Sequence, residues 1–313
     1  MQYSQKSGMA GAVMCALLLS AMTSPAIAAE TAPAPDTIGS GHFPAVKEEI
    51  SGLPDHVVYR PRDLGGVPQG ELGVYLFGNG ACSDDGASSR MHLLEIASHG
   101  YLAIAPGRIR SGPGALAPKT SRAQAPGRLS APTSSSALAE ALDWALAENE
   151  RPGSPLHGKI DPKRIAVSGF SCGGLQAYQI ATDPRIRTTV IMNSGIFSEG
   201  KSPIEGMDLG KSRLNELHGT VLYVLGGPTD IAYPNGTDDF RRLAHLPTAM
   251  VNIPVGHGGT YDQPNGGLAA KVVVSWLDWQ LKGDGKAAAQ FQGKDCGLCT
   301  TAGLTIETKR ISD

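Results

Sequence analysis

Ser171 lies between glycines in the stretch GFSCG, and its hydroxyl group could act as a nucleophile. An apolar run over residues 164–170 precedes it and a helical pattern follows, which predicts a sharp turn from strand to helix. Such a turn exposes the serine Oγ at the carboxyl edge of a sheet, while the glycines let neighbouring backbone pass close by. The N–H of Cys172 would then point toward the negative charge that develops on an attacked carbonyl oxygen. The motif alone is common in a chain with 40 glycines, so its position between strand and helix carries the prediction.

A nucleophilic serine needs a base and an acid, and two later loops supply them in the order serine, acid, histidine. Asp230 lies in GGPTD and His257 lies in GHGG, each just after an apolar run. We predict that His257 accepts the proton of Ser171, and that Asp230 fixes the tautomer of the imidazole and stabilises its charged form. Other carboxylates that could serve as the acid are Asp238, Asp239 and Glu199. The pattern around the first two places them in the next helix.

Six short apolar runs must position these residues. They are rich in β-branched residues, almost continuous in their hydrophobicity and bounded by Gly or Pro, which is typical of strands buried on both faces. They cover residues 72–78, 100–107, 164–170, 188–195, 220–227 and 249–256. Helical patterns alternate with them, among them residues 134–150 and a closing helix at 268–283. We therefore predict an α/β fold with a mostly parallel, doubly wound sheet flanked by helices, and the candidate residues at the carboxyl ends of its strands.

Cysteines accompany both the serine turn and the loop after the first apolar run. That loop, in FGNGACSDDG, offers backbone N–H groups around Asn79 and Gly80 as second donors to an oxyanion. Cys82 lies in the same loop, so convergence of the two loops predicts a Cys82–Cys172 disulfide. The alternative is a buried free thiol at Cys172.

The first 28 residues have the pattern of a secretory signal peptide. A basic residue, Lys6, precedes an uncharged apolar stretch, and small residues follow where cleavage would occur. Residues 29–41 form a Pro/Ala-rich linker, and residues 42–313 are predicted to be a single domain with no membrane span. Export to the periplasm or the outside of the cell fits the four cysteines that follow the signal, of which Cys296 and Cys299 are expected to pair locally.

A long loop over residues 105–133 carries several basic residues and no acidic one. It is either a solvated surface loop or a loop beside the site in which Arg108, Arg110 and Arg122 favour negatively charged substrates. The net charge of the whole chain is −2, which gives no reason to expect a nucleic acid partner. The sequence contains no metal-binding or nucleotide-binding motif, so neither a metal nor a cofactor is predicted.

The serine turn GFSCGG, the acid loop GGPTD and the histidine loop GHGGTY, followed by WLDWQLKGD, resemble the α/β-hydrolase superfamily. They are most similar to secreted esterases of the dienelactone-hydrolase, chlorophyllase and polyester-hydrolase (cutinase-like) branch. The resemblance covers residues 72–285 and implies an α/β-hydrolase fold without a large cap domain. It also implies a triad of Ser171, Asp230 and His257. In that branch the oxyanion donors correspond to the N–H groups of Cys172 and Asn79.

The resulting expectation is an exported serine hydrolase that cleaves carboxylic esters through an acyl-enzyme, acting on a small-molecule or polymeric ester. The residue before the serine is Phe170, where many esterases carry His, Tyr or Trp, so the identity of the substrate stays open. An amidase, a peptidase or an exported polymer depolymerase could use the same triad. A non-catalytic binding module on a hydrolase scaffold is the remaining alternative.

Overall fold

A sheet of nine strands runs through the part of the chain that the computed structural model describes, residues 34–115, 128–198 and 202–311. In chain order the strands are β1 (Ala45–Ile50), β2 (Leu53–Pro61), β3 (Leu72–Gly78), β4 (Tyr101–Pro106), β5 (Ile160–Phe170), β6 (Thr188–Met192), β7 (Thr220–Leu225), β8 (Thr248–Asn252) and β9 (Thr305–Lys309). They lie side by side in the order β1-β2-β4-β3-β5-β6-β7-β8-β9. The strands from β3 to β8 pair in parallel, whereas β1, β2 and β9 join through antiparallel pairs.

The six predicted strands correspond to β3–β8, so the α/β architecture with a mostly parallel sheet is confirmed. Three strands at the two sides of the sheet were not predicted from the sequence: β1, β2 and β9. Their sequences mix charged with apolar residues, for example AVKEEI in β1 and TIETK in β9, because part of each strand remains in contact with water. Continuous hydrophobicity identifies only the strands that are covered on both faces.

Helices cover both faces of the sheet, because successive strand residues point to opposite sides. The helices are α1 (Arg90–Ser98), α2 (Ser135–Glu150), α3 (Cys172–Ile180), α4 (Tyr233–Arg242), α5 (Gly267–Lys282) and the short α6 (Gly285–Ala288). Residues of α1 and α5 pack on one face with Tyr75 and Phe77, whereas residues of α2, α3 and α4 pack on the other face with Val74 and Leu76. The predicted closing helix is α5, and it ends at Gly283 in a left-handed conformation.

The segment before β1 is fixed to α1. Residues 1–33, which include the predicted signal peptide at 1–28 and the beginning of the predicted linker, lie outside the described residues. The rest of the linker contains no helix or strand, but the N–H of Ser40 donates to Glu95 at 2.7 Å and that of Gly41 donates to Ser98 at 2.9 Å. Among the described residues, no helix is long and apolar enough to cross a membrane.

Candidate active site

Ser171 occupies a sharp turn between the end of β5 and the first residue of α3. Its backbone has φ 53° and ψ −120°, a conformation that is costly for any residue except glycine and that is concentrated at functional sites. Close packing explains the glycines around it. A Cβ on Gly169 would lie 2.1 Å from the carbonyl oxygen of Gly173, and a Cβ on Gly173 would lie 2.0 Å from that of Gly78. The serine turn is therefore pressed against the end of β3.

The histidine and the acid lie beside this serine. His257 follows β8, and its Nε2 is 3.0 Å from the Oγ of Ser171. Its Nδ1 is 2.6 Å from Oδ1 of Asp230, which follows β7. A carboxylate only accepts hydrogen bonds, so Nδ1 carries the proton, and Nε2 of the neutral ring can accept the proton of the serine hydroxyl. The structure thus brings together three residues that the sequence places in three separate loops.

Asp230 is buried, with 1% of its surface exposed, and it accepts four hydrogen bonds. Its Oδ1 accepts from His257 at 2.6 Å and from the N–H of Ala232 at 2.9 Å. Its Oδ2 accepts from the N–H of Gly226 at 3.0 Å and from the side chain of Asn193 at 2.8 Å. Burial raises the pKa of Asp230, but the four donors outweigh burial and hold this pKa below its usual range. The carboxylate is therefore ionised at neutral pH.

The competing acids have other partners. Asp238 and Asp239 lie in α4, in agreement with the pattern around them. Asp239 accepts from the hydroxyl of Tyr178 at 2.9 Å and pairs with Lys211 at 2.5 Å, and Asp238 also pairs with Lys211, at 2.9 Å. Glu199 lies outside the described residues. Of the candidate acids that the structure describes, Asp230 is the one hydrogen-bonded to the histidine.

The loop after β3 is joined to the serine turn by a disulfide. Cys82 and Cys172 are bonded, with their Cα atoms 5.2 Å apart. The predicted pairing is therefore confirmed, and the alternative prediction of a free thiol at Cys172 is wrong. The side chain of Asn79 donates to a carbonyl oxygen in its own loop and to another at the end of β4, and so fixes the same segment. The backbone nitrogen of Asn79 lies against the first turn of α3, since a Cβ on Gly173 would be 2.7 Å from it. The two predicted oxyanion donors therefore lie on segments that the disulfide ties together.

The second predicted disulfide lies elsewhere. Cys296 and Cys299 are bonded, with their Cα atoms 4.9 Å apart, in the segment between α6 and β9. Cys296 is buried in the apolar cluster on the face covered by α1 and α5. This bond closes a local loop and confirms the pairing expected for CGLC.

A cavity of about 240 Å³ opens beside Ser171 and His257. Its wall is mostly apolar and includes Leu129, Leu175, Phe197, Pro203, Ile204 and Ile231. Part of this wall joins distant segments, because the N–H of Leu129 donates to the carbonyl oxygen of Pro203 at 2.7 Å. The side of the cavity formed by Ile231 is open, since 78% of that residue is exposed. A pocket of this kind accommodates an uncharged, apolar group.

The described arginines of the basic loop have acidic partners outside this cavity. Arg108 pairs with Glu49 at 2.6 Å, and Arg110 pairs with Asp84 at 3.0 Å. Both arginines line a different cavity, of about 420 Å³, whose lining does not include the candidate nucleophile. Arg122 lies outside the described residues. The structure therefore does not bring Arg108 or Arg110 together with the serine.

Two residues behind the acid were not predicted from the sequence. Asn193 contacts Asp230 directly, and Tyr261 contacts Asn193. Asn193 follows β6, and its Nδ2 donates to Asp230 at 2.8 Å. The hydroxyl of Tyr261 donates to Oδ1 of Asn193 at 2.7 Å. The position of Asn193 is a usable signal, because a polar residue at the carboxyl end of a parallel strand lies where α/β sheets place their sites. Tyr261 ends the stretch GHGGTY, but nothing in that stretch indicates its contact with Asn193.

Neither a scan against protein-family models nor a search of curated proteins finds a match to this chain. The assignment of a function therefore rests on the geometry of Ser171, His257 and Asp230 and on the sequence around them.

Proposed function

We propose that the protein is an exported serine hydrolase of the α/β-hydrolase fold that cleaves carboxylic esters through an acyl-enzyme. The observation that carries the proposal is the chain of hydrogen bonds from Asp230 through His257 to Ser171. Ser171, Asp230 and His257 lie in loops at the carboxyl ends of β5, β7 and β8, respectively. Their order along the chain is therefore serine, acid, histidine. An ionised acid, an oriented histidine and a serine on a strained turn are the parts that an activated nucleophile requires.

In the proposed reaction, Oγ of Ser171 attacks the carbonyl carbon of the ester while Nε2 of His257 accepts the hydroxyl proton. The carboxylate of Asp230 stabilises the imidazolium that forms. His257 then gives the proton to the departing alcohol, and the acyl group stays on the serine. A water molecule then attacks the acyl carbon and gives a proton to the same nitrogen. The bond from the acyl carbon to Oγ breaks, the carboxylic acid leaves, and His257 returns the proton to Oγ of Ser171.

The proposed donors to the oxyanion are the N–H groups of Cys172 and Asn79. Cys172 begins α3, so the positive end of the helix dipole adds to its effect. The Cys82–Cys172 disulfide holds the two donor segments together before any substrate binds. Donors whose positions are set in advance stabilise the developing charge without reorganisation at the moment of reaction.

The cavity beside the serine supports a neutral ester with an apolar group as the substrate. Among the described residues that line it, His257 is the one with an acidic or basic side chain. The exposed Ile231 at its open side is compatible with a bulky or polymeric substrate that approaches from the surface. Two disulfides fit an oxidising compartment, which supports export.

Replacement of Ser171 by alanine tests the proposed function. We expect the wild type to hydrolyse p-nitrophenyl esters and to be labelled by a fluorophosphonate probe, and S171A to lose labelling and to lose kcat by about 10⁴–10⁶-fold. The matched control is S168A, which removes a buried serine hydroxyl from β5, three residues before Ser171, and is expected to keep its activity. Wild-type turnover in S171A would contradict the proposal.

The alternatives are separated by substrates that share one acyl group. Faster hydrolysis of a p-nitroanilide than of the matching p-nitrophenyl ester would indicate an amidase or peptidase with the same triad. A wild-type protein that neither hydrolyses these compounds nor reacts with the fluorophosphonate would instead be a binding module.

A further inference from the structure

We propose that Asn193 is a positioning residue of this site, which holds the carboxylate of Asp230 in the orientation that faces His257. Tyr261 in turn fixes the orientation of the Asn193 amide. This inference rests on the proposed hydrolase function and extends the triad by two residues that act through Asp230.

The side-chain amide of Asn193 joins three parts of the site. Its Nδ2 donates to Oδ2 of Asp230 at 2.8 Å and to the carbonyl oxygen of Gly256 at 3.2 Å. Gly256 immediately precedes His257, so the second bond fixes the start of the histidine loop. Oδ1 of the amide accepts from the hydroxyl of Tyr261 at 2.7 Å. One side chain thus connects the acid, the histidine loop and a tyrosine beyond them.

The backbone of Asn193 is adapted to this arrangement. The residue is buried and has φ 43°, directly after the last residue of β6. Asparagine is among the few residues other than glycine that tolerate this region, whereas a β-branched residue would be strained there. Its N–H donates to the carbonyl oxygen of Val224 at 2.7 Å, which anchors the turn to β7. Ser171 also has a positive φ, of 53°, which is a strained conformation for serine.

Tyr261 stabilises the orientation of the amide. The carboxylate of Asp230 only accepts hydrogen bonds, so the NH₂ group of Asn193 faces it, and Oδ1 of the amide accepts from the hydroxyl of Tyr261. Burial raises the pKa of Tyr261 well above its usual value, so the phenol keeps its proton. The ring of Tyr261 lies 4.4 Å from that of Phe170, which lies 5.3 Å from the ring of His257. The tyrosine is therefore packed against the serine turn as well as bonded to the amide.

Loss of this amide should make Asp230 a poorer partner of His257 in two ways. Asp230 would lose one of the four donors that lower its pKa against burial. Its carboxylate would also lose the bond that holds Oδ2, so Oδ1 would face His257 for a smaller fraction of the time. We expect N193A to lower kcat by about 10- to 100-fold, the range for a hydrogen bond to a charged group.

The aspartate variant N193D distinguishes positioning from packing, because it keeps the shape of the side chain. It places a carboxylate oxygen where Nδ2 lies, close to Oδ2 of Asp230, and two carboxylates at this distance cannot both be ionised. A proton shared between them restores a donor to Asp230. The kcat of N193D relative to wild type should therefore rise as the pH falls from 8 to 5. A residue with a purely structural role would give a ratio that does not depend on pH.

Matched variants complete the test. Y261F removes the donor to the amide but keeps the ring, and we expect a smaller loss of kcat, about 3- to 10-fold. N252A removes a buried asparagine at the end of β8 that donates to Thr305, and Y59F removes a buried hydroxyl that donates to Gly86. Both controls should keep wild-type kcat and wild-type pH profiles.

The experiment measures kcat, KM and Tm for the full chain and these variants with p-nitrophenyl butyrate between pH 5 and 9, with S171A in parallel. An inactive S171A with wild-type kcat in N193A, or a constant N193D ratio across pH, would overturn the role of Asn193 alone. Turnover that persists in S171A would overturn the proposed function, and the inference with it.

Discussion

Asp230 and Asp239 are both buried carboxylates on the segment that follows β7, yet their surroundings shift their pKa values in opposite directions. Burial raises the pKa of each. At Asp230 four hydrogen-bond donors outweigh burial, and the pKa lies below its usual range. At Asp239 the nearby Lys211 and the N–H of Ile196 lower the pKa less than burial raises it, and the pKa rises to about 6.

The difference follows from where each carboxylate lies. Asp230 is in the loop between β7 and α4, where the N–H groups of Gly226 and Ala232 point at it. Asp239 lies inside α4, where the backbone N–H groups are already bonded within the helix, so its partners are mainly side chains from other elements. Loops at the carboxyl edge of a sheet can thus stabilise a negative charge that the middle of a helix cannot.

Replacement of each aspartate by asparagine should give the two most different effects on kcat. We expect D230N to lower kcat by about 10³–10⁴-fold, because an amide at this position favours the wrong tautomer of His257. D239N should keep kcat within about threefold, because Asp239 does not contact the histidine. Steady-state hydrolysis of a p-nitrophenyl ester at pH 8 measures both. Equal losses in the two variants would remove the distinction between them.

The choice of Asp230 over Asp239 could be made from the sequence, for a physical reason. The Gly and Pro residues of GGPTD mark a loop directly after a strand, whereas Asp239 belongs to a helical pattern. Local composition therefore separated an edge position from a helix position. The Cys82–Cys172 bond was predictable in the same way, because each cysteine lies in a loop that must reach the same edge.

The rest depends on contacts that local composition does not encode. The Tyr261–Asn193 bond joins residues 68 positions apart, and its existence depends on how the loops after β6 and β8 pack. The charge of the loop at 105–133 likewise did not reveal the acidic partners of Arg108 and Arg110, since Glu49 lies far away along the chain. A run of like charges identifies a surface, whereas its partners follow from the folded arrangement.

Removal of the cation beside Asp239 should lower the stability of the protein. Lys211 is largely buried and pairs with Asp239 at 2.5 Å. K211M would leave that carboxylate buried without a cation, and we expect the free energy of unfolding to fall by about 3–4 kcal/mol at pH 8. The loss should be smaller at pH 5, where Asp239 binds a proton. Urea unfolding at the two pH values measures the difference.

The control for K211M lies on the same short 3-10 helix, Lys211–Glu216. Arg213 pairs with Glu216 at a more exposed position, so R213M should change the free energy of unfolding by less than about 1 kcal/mol at either pH. If K211M and R213M lowered the free energy of unfolding equally, burial of the Lys211–Asp239 pair would not contribute to its effect on stability.

The pH dependence of the free energy of unfolding should change in a smaller but more specific way, with opposite signs at the two aspartates. Asp239 has a raised pKa in the folded protein, so its contribution to stability is present below pH 4 and is lost as the pH rises to about 6. The free energy of unfolding of wild type minus that of D239N should therefore fall by about 2–3 kcal/mol over this range. Asp230 has a lowered pKa, so the same difference for D230N should fall as the pH drops below 4. If both free-energy differences changed with pH in the same direction, the donors around Asp230 would not stabilise its charge. The proposed role of Asn193 would then lose its electrostatic basis.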